Sequence, residues 1–384
     1  MSPTSAKQNA GTAPLLDRLL TQVPHIPLTW YLISVNLLVF VAMLLHGAGL
    51  WHSPNQVQLA WGASFGPATK EGEWWRLGSA LFLHFGLLHL ATNMFALWEC
   101  GYFVERMYGW PGFLVIYILS GLVGNVLSLL VQGDHAVSGG ASGAIFGVYG
   151  ALLVYLWSVR RQLSKHEFHW LFWGAMVFSA MSVGMGFAIP GIDNAAHIGG
   201  LVSGLLMACV LLPSACKPGA VLRLTGAAAT ATWVLLMVLA IPAPTYRWSE
   251  EQQARSEIRQ FIGEERQISA EWESILAQGR ANNSTFEQLA GQLETEVADK
   301  YDHTFEQLSA LHLSPDAPSA QALDALRRYA ELRRDASKSL VQGLRQHDRQ
   351  KIIDSLDRAR RAPTILEKPA ATSPTRAESK KTPP

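Results

Sequence analysis

Residues 139–158 read GGASGAIFGVYGALLVYLWS. From Ala144 onward this is helix soluble in hydrocarbon, yet its opening sets a hydroxyl, Ser142, between glycines. A span needs about 20 apolar residues to cross about 30 Å of bilayer core at 1.5 Å each. Polar groups within such a run cost enough free energy to be suspects for function. The purpose of a small hydroxyl at the mouth of a membrane helix therefore decides how the rest of the chain is read.

The surroundings support the membrane reading. The chain has 384 residues, 49% hydrophobic and 16% charged, and the apolar ones crowd into roughly the first 245. Seven spans are expected, near 28–48, 84–105, 111–131, 141–158, 168–188, 195–213 and 221–242. Residues 1–27 lack the apolar core and small-residue cleavage site of a secretory signal, and read as a flexible cytoplasmic tail with a short amphipathic piece. Residues 214–244 form a cytoplasmic loop and the seventh span, 245–361 a helical extramembrane domain, and 362–384 a tail of disordered composition.

Lys and Arg in short loops set the orientation. Arg106 follows the second span, Arg160, Arg161 and Lys165 the fourth, and Lys217 and Arg223 the sixth, which places these loops in the cytoplasm. The loops QGDHAVSGG and AIPGIDNAA carry no Lys or Arg and suit the outer side. The long first loop has Lys70 and Arg76 but also Glu71 and Glu73, and weighs little. Seven spans from a cytoplasmic N-terminus put the C-terminal domain outside. Its net charge is no obstacle, because long domains translocate largely regardless of charge. The overall balance of +1 points to no nucleic-acid partner. Cys100, Cys209 and Cys216 lie in or beside spans, so the outer domain has no disulfide framework.

On this topology four polar groups from three spans share one depth near the outer face. Ser142 and His197 begin the fourth and sixth spans, His89 lies one turn into the second, and Asn93 one turn further on the same face. Gly143 with Gly147, and Gly200 with Gly204, are small-xxx-small pairs, and the second pair shares the His197 face. Such a seam lets backbones approach closely enough for the Ser142 hydroxyl to reach the His197 imidazole, with Phe146 packed beneath the ring. A serine beside a neutral imidazole is a nucleophile with its base. The Ser142 amide at a helix N-terminus, the His89 imidazole and the Asn93 amide would form an oxyanion hole. His84 reads as structural, and Arg76 with Trp75 as an interfacial anchor of the first loop.

Other membrane-protease chemistries leave different marks. A zinc site wants His-Glu-x-x-His on a helix, and the nearest string, His166-Glu167-Phe168-His169, has the wrong spacing. An aspartyl mechanism needs two intramembrane Asp residues, and the spans hold none. Repeated halves around a midplane site, the mark of a transporter, are not seen.

The strings GASGAIFG, AHIGGLVSG and HLATNMFALWECG resemble the motifs of the rhomboid intramembrane serine proteases, and the resemblance covers about residues 28–213. The WWR at Trp74 to Arg76 and the stretch ECGYFVERMYG are similar to family features too. The resemblance implies an all-α polytopic membrane protein with a six-helix catalytic core, here extended by a seventh transmembrane helix and a C-terminal soluble helical domain. It implies Ser142 as nucleophile, His197 as base, and His89 and Asn93 as oxyanion stabilisers. It further implies transmembrane-helix-containing protein substrates in the lipid bilayer, no metal or organic cofactor, and no acidic third member; Asp193, four residues before His197, is given no direct catalytic role. A silent relative that binds membrane helices is the alternative, but such relatives usually lack the serine or the histidine. The missing transit peptide and outer-domain cysteines favour a bacterial inner membrane.

After residue 245 the pattern becomes that of a soluble helical bundle. Ile258, Phe261, Ile262, Ile268, Trp272, Ile275 and Leu276 mark one apolar stripe, and Phe286, Leu289, Leu293, Val297 and Tyr301 a second. Ser284 with Glu287 offers a capping box, and a third helix is expected over 320–361.

Overall fold

The computed structural model describes residues 14–216, 218–281 and 284–367. The described residues form two compact units that divide between Pro244 and Thr245. Residues 1–13 of the expected N-terminal tail, Lys217, used above for orientation, and residues 368–384 of the expected C-terminal tail lie outside the described residues.

The first unit is an all-α polytopic fold with, among the described residues, six helices long and apolar enough to cross a membrane. These are α2 (Pro27–Leu45), α3 (Leu87–Gln132), α4 (Ser142–Val159), α5 (Lys165–Ala188), α6 (Asn194–Leu211) and α7 (Ala220–Leu239), preceded by a short α1 (Leu15–Gln22). α3 comprises two helical segments that meet at Gly109 (φ 70°, ψ 162°), where the backbone is not helical, and the expected spans 84–105 and 111–131 fall on either side of it. Gly109 adopts a backbone that other residues resist, and Pro111 lacks the amide a straight ladder would need, so the helix breaks there. The helix begins at Leu87 rather than 84, which leaves His84 in the preceding turn.

Residues 14–27 are not a free tail. Leu15 and Leu19 are buried in the membrane-unit core, and the Leu15 amide donates to Glu167 Oε1 at 2.7 Å. Arg106 holds the next stretch by donating to the carbonyls of Val23 (2.9 Å) and Pro24 (3.1 Å). Beside it Glu105, 1% exposed, accepts from the amides of Leu28 (2.9 Å) and Thr29 (2.7 Å) and from the Thr29 hydroxyl (2.6 Å). The carboxylate thus satisfies the orphan donors that begin α2, a cap supplied from another helix. Glu105→Ala leaves three donors unpaired, the two on Thr29 buried, and is expected to lower unfolding stability by about 3 kcal/mol. A lowered thermal midpoint in detergent checks this, whereas an unchanged midpoint would show that water replaces the carboxylate.

Between α2 and α3 the chain forms a compact outer loop. Arg76 is buried there, donating to the Leu59 (2.8 Å) and Ala63 (3.2 Å) carbonyls and to Glu73, with its guanidinium over the exposed Trp75 ring. Lys70 and Asp134 make a buried ion pair at 2.6 Å. A two-residue ladder, β1 (Ser64–Phe65) with β2 (Val137–Ser138), ties this loop to the approach of α4. α7 packs beside α6, with the Trp233 indole donating to Ser203 Oγ at 3.0 Å.

The second unit is a bundle of α8 (Trp248–Arg280), α9 (286–310), α10 (Ala320–Gln346) and α11 (Arg349–Arg361) around one apolar core. Its second helix starts one residue later than the sequence suggests, with the capping box made by Thr285 and Gln288 instead of Ser284 and Glu287. The long third helix expected over 320–361 is broken where His347 turns left-handed (φ 54°) and Asp348 caps α11 through the Lys351 amide. Residues 363–367, expected in the terminal tail, form a short helix.

Candidate functional site

Gly140 has φ +140°, a conformation side chains rarely adopt, and there the chain turns into α4 so that Ser142 is its first residue. The residue before, Ala141, is fully buried, and Ser142 itself is half-buried. On α6 His197 sits in the first turn, 8% exposed, and its Nε2 lies 2.9 Å from Ser142 Oγ. The Phe146 ring stacks on the imidazole, with centroids 4.3 Å apart and planes within 12°.

The glycine seam explains how two helix backbones come so close. A methyl group at Gly200 would overlap the Gly143 carbonyl, and one at Gly204 would overlap the Gly147 carbonyl. A third helix joins the same packing, because a methyl at Gly124 of α3 would stand 2.7 Å from the Ala196 carbonyl. Only hydrogen at these positions lets α3, α4 and α6 meet at backbone contact.

His89 and Asn93 lie one turn apart on the same face of α3. A methyl at Gly140 would be 2.9 Å from His89 Cε1 and Nε2, so the ring edge abuts the backbone just before Ser142. The Phe85 amide points at His89 Nδ1 at 3.4 Å, which makes Nδ1 the acceptor and puts the ring proton on Nε2, the edge towards Gly140. The Asn93 side-chain nitrogen donates to the His89 carbonyl at 2.8 Å, leaving its second hydrogen for another acceptor. His84 is fully buried, edge-on to His89 with centroids 5.1 Å apart, and its carbonyl receives the Gln58 amide at 2.9 Å. The structure therefore brings Ser142, His197 and His89 together, with Asn93 one turn along α3 from His89 and bonded to its carbonyl. A hydroxyl beside an imidazole, with a helix N-terminal amide and an imidazole N–H aimed nearby, can form an acyl intermediate and hold its oxyanion.

Two features of the surroundings escaped the sequence reading. Neither is a third catalytic member beside His197, whose Nδ1 is buried with no partner among the described residues. Asp193 instead clamps the site's frame: it accepts from the Ala196 amide (3.0 Å), the Ser138 hydroxyl (2.6 Å) and the Ser128 hydroxyl. One side chain thus joins the start of α6, the strand before Ser142 and the end of α3. The signal in the sequence was an Asp three residues before Ala196, the N-cap spacing; its serine partners lie too far along the chain to be paired by eye. Asp193→Ala is expected to cut turnover about 10- to 100-fold with a smaller change in KM, because a sub-ångström shift of Ser142 weakens only the reacting geometry. Asp193→Asn, which keeps the helix cap, should recover part of that loss. Equal activity of the Ala variant and wild type would remove the clamp from the account. The second omission is Glu99, a carboxylate in the middle of the apolar run of α3, whose Oε2 accepts from Tyr149 at 2.8 Å.

Comparison with known proteins agrees with this architecture. Residues 71–214 match the family model described as the rhomboid domain. The chain is 38% identical over 188 residues to rhomboid protease GluP of Bacillus subtilis, a match covering 49% of this chain and 35% of that protein. It is 32% identical over 185 residues to putative rhomboid protease YdcA of Bacillus subtilis (47% of this chain, 86% of YdcA). With rhomboid-like protease 3 of Toxoplasma gondii it shares 30% identity over 183 residues (47% of this chain, 68% of that protein). The chain belongs to the rhomboid family, as an integral membrane protein. It spans only about a third of the length of GluP.

Proposed function

We propose that this chain is an intramembrane serine protease that cleaves a peptide bond in or beside the membrane helix of a protein substrate. The observation that carries the reading is the 2.9 Å approach of His197 Nε2 to Ser142 Oγ between two membrane helices. His197 takes the Ser142 proton as the hydroxyl attacks the scissile carbonyl. The His89 Nε2–H, the Asn93 amide and the Ser142 backbone N–H stabilise the oxyanion, each donor being worth about 10²- to 10³-fold in rate. His197 then protonates the leaving amine and activates water to release the acyl group. Stacking on Phe146 keeps the imidazole in the plane this exchange needs. No step calls for a metal or organic cofactor.

In this reading the N-terminus is cytoplasmic, the dyad lies near the outer face, and the C-terminal unit is periplasmic or extracellular in a bacterial inner membrane. The sparing of the outer loops by Lys and Arg supports it. The test is cleavage of a panel of single-span reporter proteins in membranes by wild type and Ser142→Ala. Serine-dependent cleavage supports the reading. Binding of reporter helices with no serine-dependent cleavage would turn it into a non-proteolytic helix-binding or quality-control role.

A further inference from the structure

Two turns below the dyad, a crevice of about 470 Å³ opens between α3, α4 and α5, lined among others by Glu99, Tyr149, His169, Trp170, Trp173 and Phe178. Glu99 is exposed on a helix that otherwise reads as a membrane span. At 1.5 Å per residue it stands about 18 Å along α3 from Leu87 and about 15 Å short of the bend at Gly109, near the middle of the span. An ionisable group at that depth is costly and marks function by default. Oε2 accepts from Tyr149, whose ring is fixed by stacking on Phe178 (4.7 Å, 20°). Oε1 has no hydrogen-bond partner among the described residues.

The surroundings say what this free acceptor can meet. Tyr149 follows Ser142 by seven residues on α4, two turns along the same face and about 10 Å inward. On the sides facing α6 and the part of α3 beyond Gly109, α4 is sealed by close glycine packing. α5 covers the remaining side loosely: only 11% of its apolar window is buried, against 78% for α4. A helix arriving from the bilayer therefore displaces least by lying in the crevice between α3 and α5, with its outer end at Ser142 and its inner part against Glu99.

We propose that Glu99, steadied by Tyr149, selects substrate helices with a hydrogen-bond donor side chain about seven residues inward of the scissile bond. The inference rests on the protease reading above. A carboxylate offers acceptors alone, so Lys, Gln or Asn completes its shell, whereas Leu covers Oε1 and leaves it unpaired.

The experiment uses the full chain in liposomes with three single-span reporters that differ only at that position, carrying Leu, Gln or Lys. Interhelical hydrogen bonds in membranes are worth roughly 3- to 20-fold, and wild type is expected to prefer the Gln and Lys reporters over Leu by that factor. In Glu99→Leu the preference should fall to about one; in Glu99→Gln, which keeps an acceptor oxygen, it should persist for the Gln reporter. Each ratio is taken within one preparation, so partial loss of folded protein cancels. Equal cleavage of all three reporters by wild type, or an unchanged preference in Glu99→Leu, overturns the assignment while leaving the protease reading intact. Failure of wild type to cleave any reporter overturns both.

Discussion

Replacing His197 by alanine is expected to lower peptide-bond cleavage by at least about 10⁴-fold, and replacing Ser142 by alanine to lower it as far. The two side chains act as one unit, because the hydroxyl is a poor nucleophile unless the imidazole 2.9 Å away accepts its proton. The double variant should therefore be no worse than either single one. Labelling by a fluorophosphonate, which an activated serine attacks, separates chemistry from substrate binding. Both single variants should lose labelling while keeping the thermal midpoint of the wild type to within a few degrees. Retained labelling in His197→Ala would mean that another base serves Ser142, and the four-residue arrangement would need redrawing.

Adding a side chain to the glycine seam should be nearly as damaging by a different route. At Gly200 a Cβ overlaps the Gly143 carbonyl and at Gly204 the Gly147 carbonyl, contacts with backbone that no side-chain rotation can relieve. Valine at either site must part α4 from α6, and even about 1 Å of misplacement costs about 10²-fold in rate. The expected result for Gly204→Val is at least that loss of cleavage, together with about 3 kcal/mol or more of stability from overpacking. Gly184→Ala on α5 is the control, since no atom lies within 4 Å of its added Cβ. It should leave both measures near wild type, and comparable damage at both positions would mean that glycine is required for helix flexibility and not for close approach.

The site was legible in the sequence because its signals are local and periodic. Ser142 with Gly143 and Gly147, and His197 with Gly200 and Gly204, each repeat at helical spacing, and the Lys and Arg pattern brought the two helix starts to one side. What stayed hidden depends on partners distant in sequence. Glu105 caps α2 from across the unit, and Asp193 finds Ser128 and Ser138 more than fifty residues away. In the second unit the strings at Ser284 and Thr285 both fit a capping box, and pattern alone does not rank them. The break at His347 carries neither Gly nor Pro; its one sequence mark is Asp348, in the N-cap position three residues before the amide it binds.

The most direct test of the central claim is to incubate the reconstituted full chain with a single-span reporter, map the cut bond by mass spectrometry, and locate the adduct left by a fluorophosphonate. The account predicts a single serine-dependent cut in or beside the reporter's membrane helix, blocked by the reagent, with the adduct on Ser142 alone. An adduct on another serine, or a cut that persists in Ser142→Ala, would contradict it.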